Sequence, residues 1–185
     1  MTLPNFITIA RLLAVPFIVW LLIGDRYFAA AVVFVAAGIS DAADGFIAKR
    51  FHLSSDLGAY LDPLADKALL VSVFVMLGFK GVLPPWLIVL AVSRDILIVG
   101  AVILSWMLSN PVAMKPLWVS KFNTVAQIVL IAIALGARSG LTMFDNLLWP
   151  AIVAAGVLTV GSAAAYLVEW FRHMSEPAPD AEGQP

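Results

Sequence analysis

Four aspartates at regular spacing carry the most distinctive chemistry in this otherwise apolar sequence. Asp41 and Asp44 precede a short polar stretch. Asp62 and Asp66 follow it. Residues three or four apart share one face of a helix, so each pair should project to one side. Four carboxylates brought together would repel one another, and a hard divalent cation bound through oxygen is the simplest partner. The spacing therefore predicts a metal site shared by two helices.

The stretch between the two acidic pairs supports one shared site. The connection, roughly residues 51–57, is short enough to make the flanking helices antiparallel neighbours. The acids of one helix would then lie beside the acids of the next. Three small residues in the same region would let a ligand approach the backbone closely: Gly45, Ala48 and Gly58.

The composition indicates an integral membrane protein. Of the 185 residues, 62% are hydrophobic and only 12% are charged, with a mean hydropathy of +0.99. A bilayer core needs about 20 apolar residues per helix. Six segments approach that length, at roughly 6–23, 27–50, 58–79, 84–108, 121–135 and 147–171. We therefore predict an all-α bundle of six transmembrane helices, forming one membrane domain over residues 1–174.

Charge and composition exclude several other classes. The net charge is −1 with no basic patch, so we expect no nucleic-acid partner. No cysteine is present, which excludes thiol chemistry. Residues 175–185 lack large apolar side chains and are predicted to be a disordered tail. The distribution of Lys and Arg favours both termini and the acidic site on the cytoplasmic side.

The stretch from Asp41 to Asp66 resembles the signature of the CDP-alcohol phosphatidyltransferase family, D-x2-D-G-x2-A-R-x8-G-x3-D-x3-D. Every fixed position is matched at the family spacing except one, where Lys49 stands in place of Arg. Lysine keeps the charge but loses the bidentate fork of the guanidinium. The opening L-P-N-F-I-T-I-A-R also looks like the start of bacterial members of this family.

The resemblance implies transfer of a phosphatidyl group from CDP-diacylglycerol to an alcohol, with release of CMP. It implies Mg²⁺ or Mn²⁺, expected as two ions, on the metal ligands Asp41, Asp44, Asp62 and Asp66. By family analogy Asp66 is also the general base for the acceptor hydroxyl. The predicted nucleotide-binding residues are Asn5, Thr8, Asp44, Gly45, Ala48, Lys49 and Gly58. Dimers are common in the family, so a homodimer is a further expectation.

Three cations in or near the apolar spans are predicted to bind phosphate or the acceptor: Arg11, Arg94 and Lys121. Arg11 follows Asn5 and Thr8 on one stripe, for which interfacial anchoring is the alternative. The Arg94 guanidinium lies within an apolar span and must pair with an anionic group. Asp95 is adjacent in sequence but should point away from it on a helix. We therefore expect Arg94 to face the aspartates or a phosphate, the alternative being a structural ion pair.

Two further polar features carry alternatives. Lys121, Thr124 and Gln127 form a stripe that could meet an anionic head group or hold helices together. Lys67, beside Asp66, is predicted to be a local ion partner or a snorkelling residue rather than a catalytic one.

The acceptor alcohol is inferred from the fourth span. Its sequence S-R-D-I-L-I-V-G resembles the eukaryote-type cardiolipin synthases of the family, which use phosphatidylglycerol. Members that use glycerol 3-phosphate typically carry Arg-Glu and then a second Arg, which this span lacks. Phosphatidylglycerol is therefore the favoured acceptor and glycerol 3-phosphate the alternative. An ion-coupled transporter is the alternative from a different class. The expected location is the bacterial inner membrane.

Overall fold

The apolar segments form six α-helices joined by short connections in the computed structural model. The helices are α1 Leu3–Ile23, α2 Tyr27–Phe51, α3 Asp56–Phe79, α4 Pro85–Met107, α5 Trp118–Arg138 and α6 Asp145–Ser175. A 3-10 turn, Thr142–Phe144, leads into α6. The structure describes the backbone of residues 3–51, 56–107 and 118–175, and side chains of residues 9–40, 65–105, 107 and 118–174.

The all-α membrane class predicted from the sequence is confirmed, and the helix bounds lie close to the predicted spans. Asp56, expected in the polar connection, is instead the first residue of α3. The predicted domain end at 174 falls one residue short of the end of α6 at Ser175, and residues 176–185 lie outside the described part.

Several helices carry long apolar stretches within the residues whose side chains are described. Three described segments are long and apolar enough to cross a bilayer: Pro85–Ser105, Trp118–Arg138 and Thr142–Met174. Two further apolar helical stretches are shorter, Ile9–Ile23 and Tyr27–Ser40. The count of six transmembrane spans therefore stays a prediction, although six helices are present in the described backbone.

Helix α1 packs against both helices that carry the acids, α2 and α3. Its Ile18 and Leu22 are fully buried in the shared core. Along their described lengths, α2 and α3 do not pack directly on each other. The expected meeting of α2 and α3 at the acids concerns residues 41–64, whose side chains lie outside the described part, so it stays a prediction. Helix α5 packs on α2 and α6, and α4 packs on α6.

Hydrogen bonds from Lys80 hold the α1–α2 turn against the end of α3. Lys80 Nζ donates to Asp25 Oδ1 at 2.8 Å and to the Ile23 carbonyl at 3.1 Å. Tyr27 also donates its hydroxyl to Asp25 Oδ1. The hydrogen bond from Lys80, with that from Tyr27, lowers the pKa of the Asp25 carboxyl. Asp25 has φ 56°, a left-handed conformation that Asp tolerates better than most residues.

The connection between α5 and α6 depends on a close approach at Gly136. A Cβ atom built on this buried helical glycine would lie only 2.6 Å from Cδ2 of the Phe144 ring. The ring belongs to the 3-10 turn, which packs on both α5 and α6. At Gly161 of α6, by contrast, an added Cβ meets nothing within 4 Å.

We predict that Gly136→Ala lowers the thermal unfolding temperature in detergent, whereas Gly161→Ala leaves it unchanged or raises it. Both changes remove the helix penalty of glycine, about 1 kcal/mol. Only Gly136→Ala also forces overpacking, which typically costs about 1–3 kcal/mol. Equal melting temperatures for the two variants would contradict the close contact with Phe144.

Candidate active site

The two helices that carry the acidic signature are continuous through it. Asp41 lies ten residues before α2 ends at Phe51, and Asp66 lies ten residues after α3 begins at Asp56. Helix α2 therefore continues for about 15 Å after Asp41, and about 15 Å of α3 precede Asp66. Because the backbone is helical throughout, the acids on each helix keep the spacing that places them on one face.

Most of the predicted site residues lie outside the side chains that the structure describes. These are Asn5, Thr8, Asp41, Asp44, Gly45, Ala48, Lys49, Gly58 and Asp62. Their assignments as metal or nucleotide ligands stay predictions. Asp66, Arg11, Arg94 and Lys121 are described, and the geometry of the site is built from them.

Asp66 forms an ion pair with Arg11. The Arg11 Nη1 group donates to Asp66 Oδ1 and thereby joins α1 to α3. Arg11 is only 4% exposed, so its guanidinium does not snorkel to the membrane surface. The Asp66 side chain is 45% exposed. The ion pair fixes the position of the predicted general base, and phosphate binding by Arg11 stays a prediction.

A cavity of about 500 Å³ adjoins this ion pair. It lies among α1, α2, α3 and α5, and four polar side chains line it: Arg11, Asp66, Lys67 and Thr124. The rest of the lining is mainly apolar, with Phe34, Val35, Ile39, Leu69, Leu70 and Ile128 among its residues. Cavities of this size accommodate small organic ligands, which are usually oriented by a few polar groups on an apolar wall.

Arg94 does not line this cavity, and its described contacts differ from the expectation. Its guanidinium donates to Asp95 at 2.7 Å, to Ser162 at 2.7 and 3.1 Å, and to Ser120. The expectation that Asp95 points away is wrong, because the long arginine side chain reaches around the helix to the adjacent carboxylate. Arg94 is 4% exposed and lies over the Tyr166 ring. These contacts favour the alternative, a buried structural ion pair.

Asp95 also pairs with Lys67, which the sequence predicts to be a local ion partner or a snorkelling residue. Lys67 Nζ donates to Asp95 Oδ2 at 2.5 Å, and this contact joins α3 to α4. The prediction of an ion partner is confirmed, but the identity of the partner was missed. The sequence signal for this pair is the presence of opposite charges inside the third and fourth apolar spans.

The predicted stripe on α5 separates into three environments. Lys121 is exposed and lies over the Trp118 ring, 4.8 Å from its centre. Thr124 lines the cavity. Gln127 is buried at 2% exposure.

A buried hydrogen bond between α5 and α6 was missed from the sequence. The Thr159 hydroxyl and Asn123 Oδ1 lie 2.8 Å apart, and both side chains are fully buried. This contact holds the two helices together, as polar pairs do in membrane bundles.

The donor set suits a hard divalent cation. Among the residues with described side chains, no group of three His, Cys, Asp or Glu is found, and Asp66 is the one member of the acidic signature in that set. All four signature residues are carboxylates, the oxygen ligands that Mg²⁺ and Mn²⁺ prefer. Their helical spacing, with Asp66 beside a cavity, fits a metal-assisted reaction on a phosphate-bearing ligand.

Comparison with curated proteins finds relatives named for two activities. The chain is 35% identical over 184 residues to a cardiolipin synthase (CMP-forming)/mitochondrial hydrolase fusion protein of Schizosaccharomyces pombe, covering 90% of this chain and 31% of the relative. It is 33% identical over 152 residues to cardiolipin synthase (CMP-forming) of Homo sapiens, covering 74% and 50%.

A rice (Oryza sativa subsp. japonica) protein is 36% identical over 152 residues, covering 73% of this chain and 46% of the relative. It is named CDP-diacylglycerol–glycerol-3-phosphate 3-phosphatidyltransferase 1, chloroplastic. The chain thus spans about a third to a half of the length of these relatives.

The family comparison covers most of the chain. The model for CDP-alcohol phosphatidyltransferases matches residues 1–167 of the 185, which include all six helices except the last residues of α6. The matched region contains the acidic signature, the Arg11–Asp66 pair and every residue that lines the cavity. The chain therefore belongs to the CDP-alcohol phosphatidyltransferase family.

Proposed function

We propose that this protein transfers a phosphatidyl group from CDP-diacylglycerol to phosphatidylglycerol, giving cardiolipin and CMP. The observation that carries the proposal is the acidic signature on two continuous helices, with its last member, Asp66, beside a largely apolar cavity. The acids supply the metal ligands that a pyrophosphate substrate needs. The cavity supplies apolar surface that a lipid substrate can occupy.

In this proposal Asp66 accepts the proton of the acceptor hydroxyl. The oxygen then attacks the phosphorus that bears the diacylglycerol, a new P–O bond forms, and the P–O bond to CMP breaks. Arg11 orients the Asp66 carboxylate by holding its Oδ1 atom, so that the base does not rotate away from the acceptor. Arg11 is buried, and a charge pair is stronger in low dielectric than in water, so the Arg11 side of this contact is strengthened.

Asp41, Asp44, Asp62 and Asp66 would hold the metal ions, which we propose to be two Mg²⁺ or Mn²⁺. When bound, such ions neutralise the pyrophosphate charge and stabilise the leaving group. The residues proposed to contact the cytidine nucleotide are Asn5 and Thr8 near the start of α1 and the small residues Gly45, Ala48 and Gly58. Lys49 would contribute the positive charge that the family usually takes from arginine.

The choice of phosphatidylglycerol rests on two features. The cavity beside Asp66 is lined mostly by apolar side chains, whereas a glycerol 3-phosphate site needs several cations around a small dianion. The fourth helix carries Arg94 followed by Asp95 and no second arginine. The rice relative named for glycerol 3-phosphate keeps that acceptor as the second candidate.

We place the active site at the cytoplasmic side of a membrane, with the bacterial inner membrane as the proposed location. There the acyl chains of both substrates would stay in lipid while the nucleotide meets water. The transporter alternative is disfavoured because the acids occupy two adjacent helices of a six-helix chain whose sequence has no visible repeat. A homodimer is part of the proposal by family analogy.

Neutralising one signature acid should abolish the reaction. We predict that Asp41→Asn or Asp62→Asn reduces CMP release from CDP-diacylglycerol by about a thousandfold or more, because losing a metal ligand removes several kcal/mol of transition-state stabilisation. Asp56→Asn, the matched control off the signature, should retain wild-type turnover. Normal CMP release in either signature variant would contradict the metal assignment.

The acceptor is decided by a direct comparison. Purified protein in mixed micelles with CDP-diacylglycerol and Mg²⁺ is offered phosphatidylglycerol or glycerol 3-phosphate, and the lipid products are resolved by mass. We expect cardiolipin with the first acceptor and no phosphatidylglycerophosphate with the second. Product with glycerol 3-phosphate alone would overturn the choice of acceptor while leaving the phosphatidyltransferase reaction standing.

A further inference from the structure

Lys67 occupies a position that the acidic signature does not explain. It follows Asp66 on α3, lines the same cavity, and is 47% exposed. The other cation lining the described cavity, Arg11, is buried and contacts Asp66. Lys67 therefore brings a partly exposed cationic side chain to the wall of the cavity beside the proposed base.

The Lys67 ammonium is held in place by a chain of ionic contacts. Lys67 Nζ contacts Asp95 Oδ2, and Arg94 Nη1 donates to Asp95 Oδ1. Arg94 is in turn fixed by Ser120 of α5 and Ser162 of α6. The position of Lys67 is thus determined from three other helices.

The charges of the described residues in this network of ionic contacts do not balance. Lys67 and Arg94 carry two positive charges, and Asp95 carries one negative charge. Arg94 is buried, so the exposed part of the excess charge lies on Lys67. A net charge at membrane depth is costly unless it meets an opposite charge. The excess of one positive charge matches the single negative charge of a phosphodiester.

We infer that Lys67 binds the phosphodiester of the lipid acceptor, and that Asp95 is a positioning residue for it. This inference rests on the proposed function, in which the acceptor hydroxyl lies at Asp66. Neighbouring residues on a helix point about 100° apart, so Asp66 and Lys67 can reach two groups of one molecule. In phosphatidylglycerol, three carbons separate the attacking hydroxyl from the phosphodiester, which suits such a pair.

The test measures steady-state kinetics for Lys67→Gln, Lys67→Arg and Asp95→Asn in mixed micelles. We expect Lys67→Gln to raise the apparent KM for phosphatidylglycerol about tenfold or more, the loss of one charge-assisted hydrogen bond. The KM for CDP-diacylglycerol should stay within about twofold. Lys67→Arg should restore most of the affinity because it keeps the charge. Asp95→Asn should raise the same KM by a smaller factor.

Lys80→Gln is the matched control, because Lys80 is also paired with an aspartate but lies away from the cavity. It should leave both KM values unchanged. A raised KM for CDP-diacylglycerol in Lys67→Gln would assign Lys67 to the donor and overturn the inference. A loss of thermal stability with unchanged KM values would show a purely structural ion pair and would also overturn it.

A binding measurement separates failure of this inference from failure of the proposed function. Native mass spectrometry compares retention of phosphatidylglycerol and phosphatidylcholine by the wild type and Lys67→Gln. We expect the wild type to retain phosphatidylglycerol preferentially and Lys67→Gln to lose that preference. If the wild type releases no CMP with either acceptor, the proposed function fails, and equal lipid retention by both proteins would still reject the role of Lys67.

Discussion

The ion pair between Arg11 and Asp66 is the contact on which the rest of the site depends. A charged side chain at membrane depth is costly when alone, so Arg11 and Asp66 each provide the opposite charge that the other needs. Because Arg11 is buried on α1 and Asp66 is on α3, the pair fixes these two helices relative to each other. The cavity, the proposed base and the face of α3 that carries the acids all take their positions from this contact.

A second ionic chain extends the same constraint to the other side of the bundle. Lys67, Asp95 and Arg94 connect α3 to α4, and two serines connect Arg94 to α5 and α6. A six-helix membrane protein can therefore keep charged groups at its centre, since each described charge there has an opposite charge or a hydroxyl beside it. The apolar core around Leu77 and Leu130 packs against this framework.

The sequence predicted the helices well because long apolar segments bounded by polar turns leave few alternatives. It could not predict which helices pack together: the acidic spacing shows which residues share a helix face, but the packing of α1 on both α2 and α3 depends on tertiary contacts. It also misjudged Asp95, because helical geometry gives the direction of Cβ and not the reach of Arg94. Tertiary pairs such as Lys67 with Asp95 have no local signal beyond opposite charge.

We propose that carboxylates from α2 and α3 together bind divalent metal ions. Electron paramagnetic resonance of purified protein in nanodiscs, titrated with Mn²⁺, tests this proposal most directly. We predict saturable uptake of about two ions per chain in a two-metal site. We also predict reduced uptake in Asp44→Asn, with helical content unchanged by circular dichroism. Uptake that is the same in Asp44→Asn as in the wild type, or absent from both, would contradict the proposal.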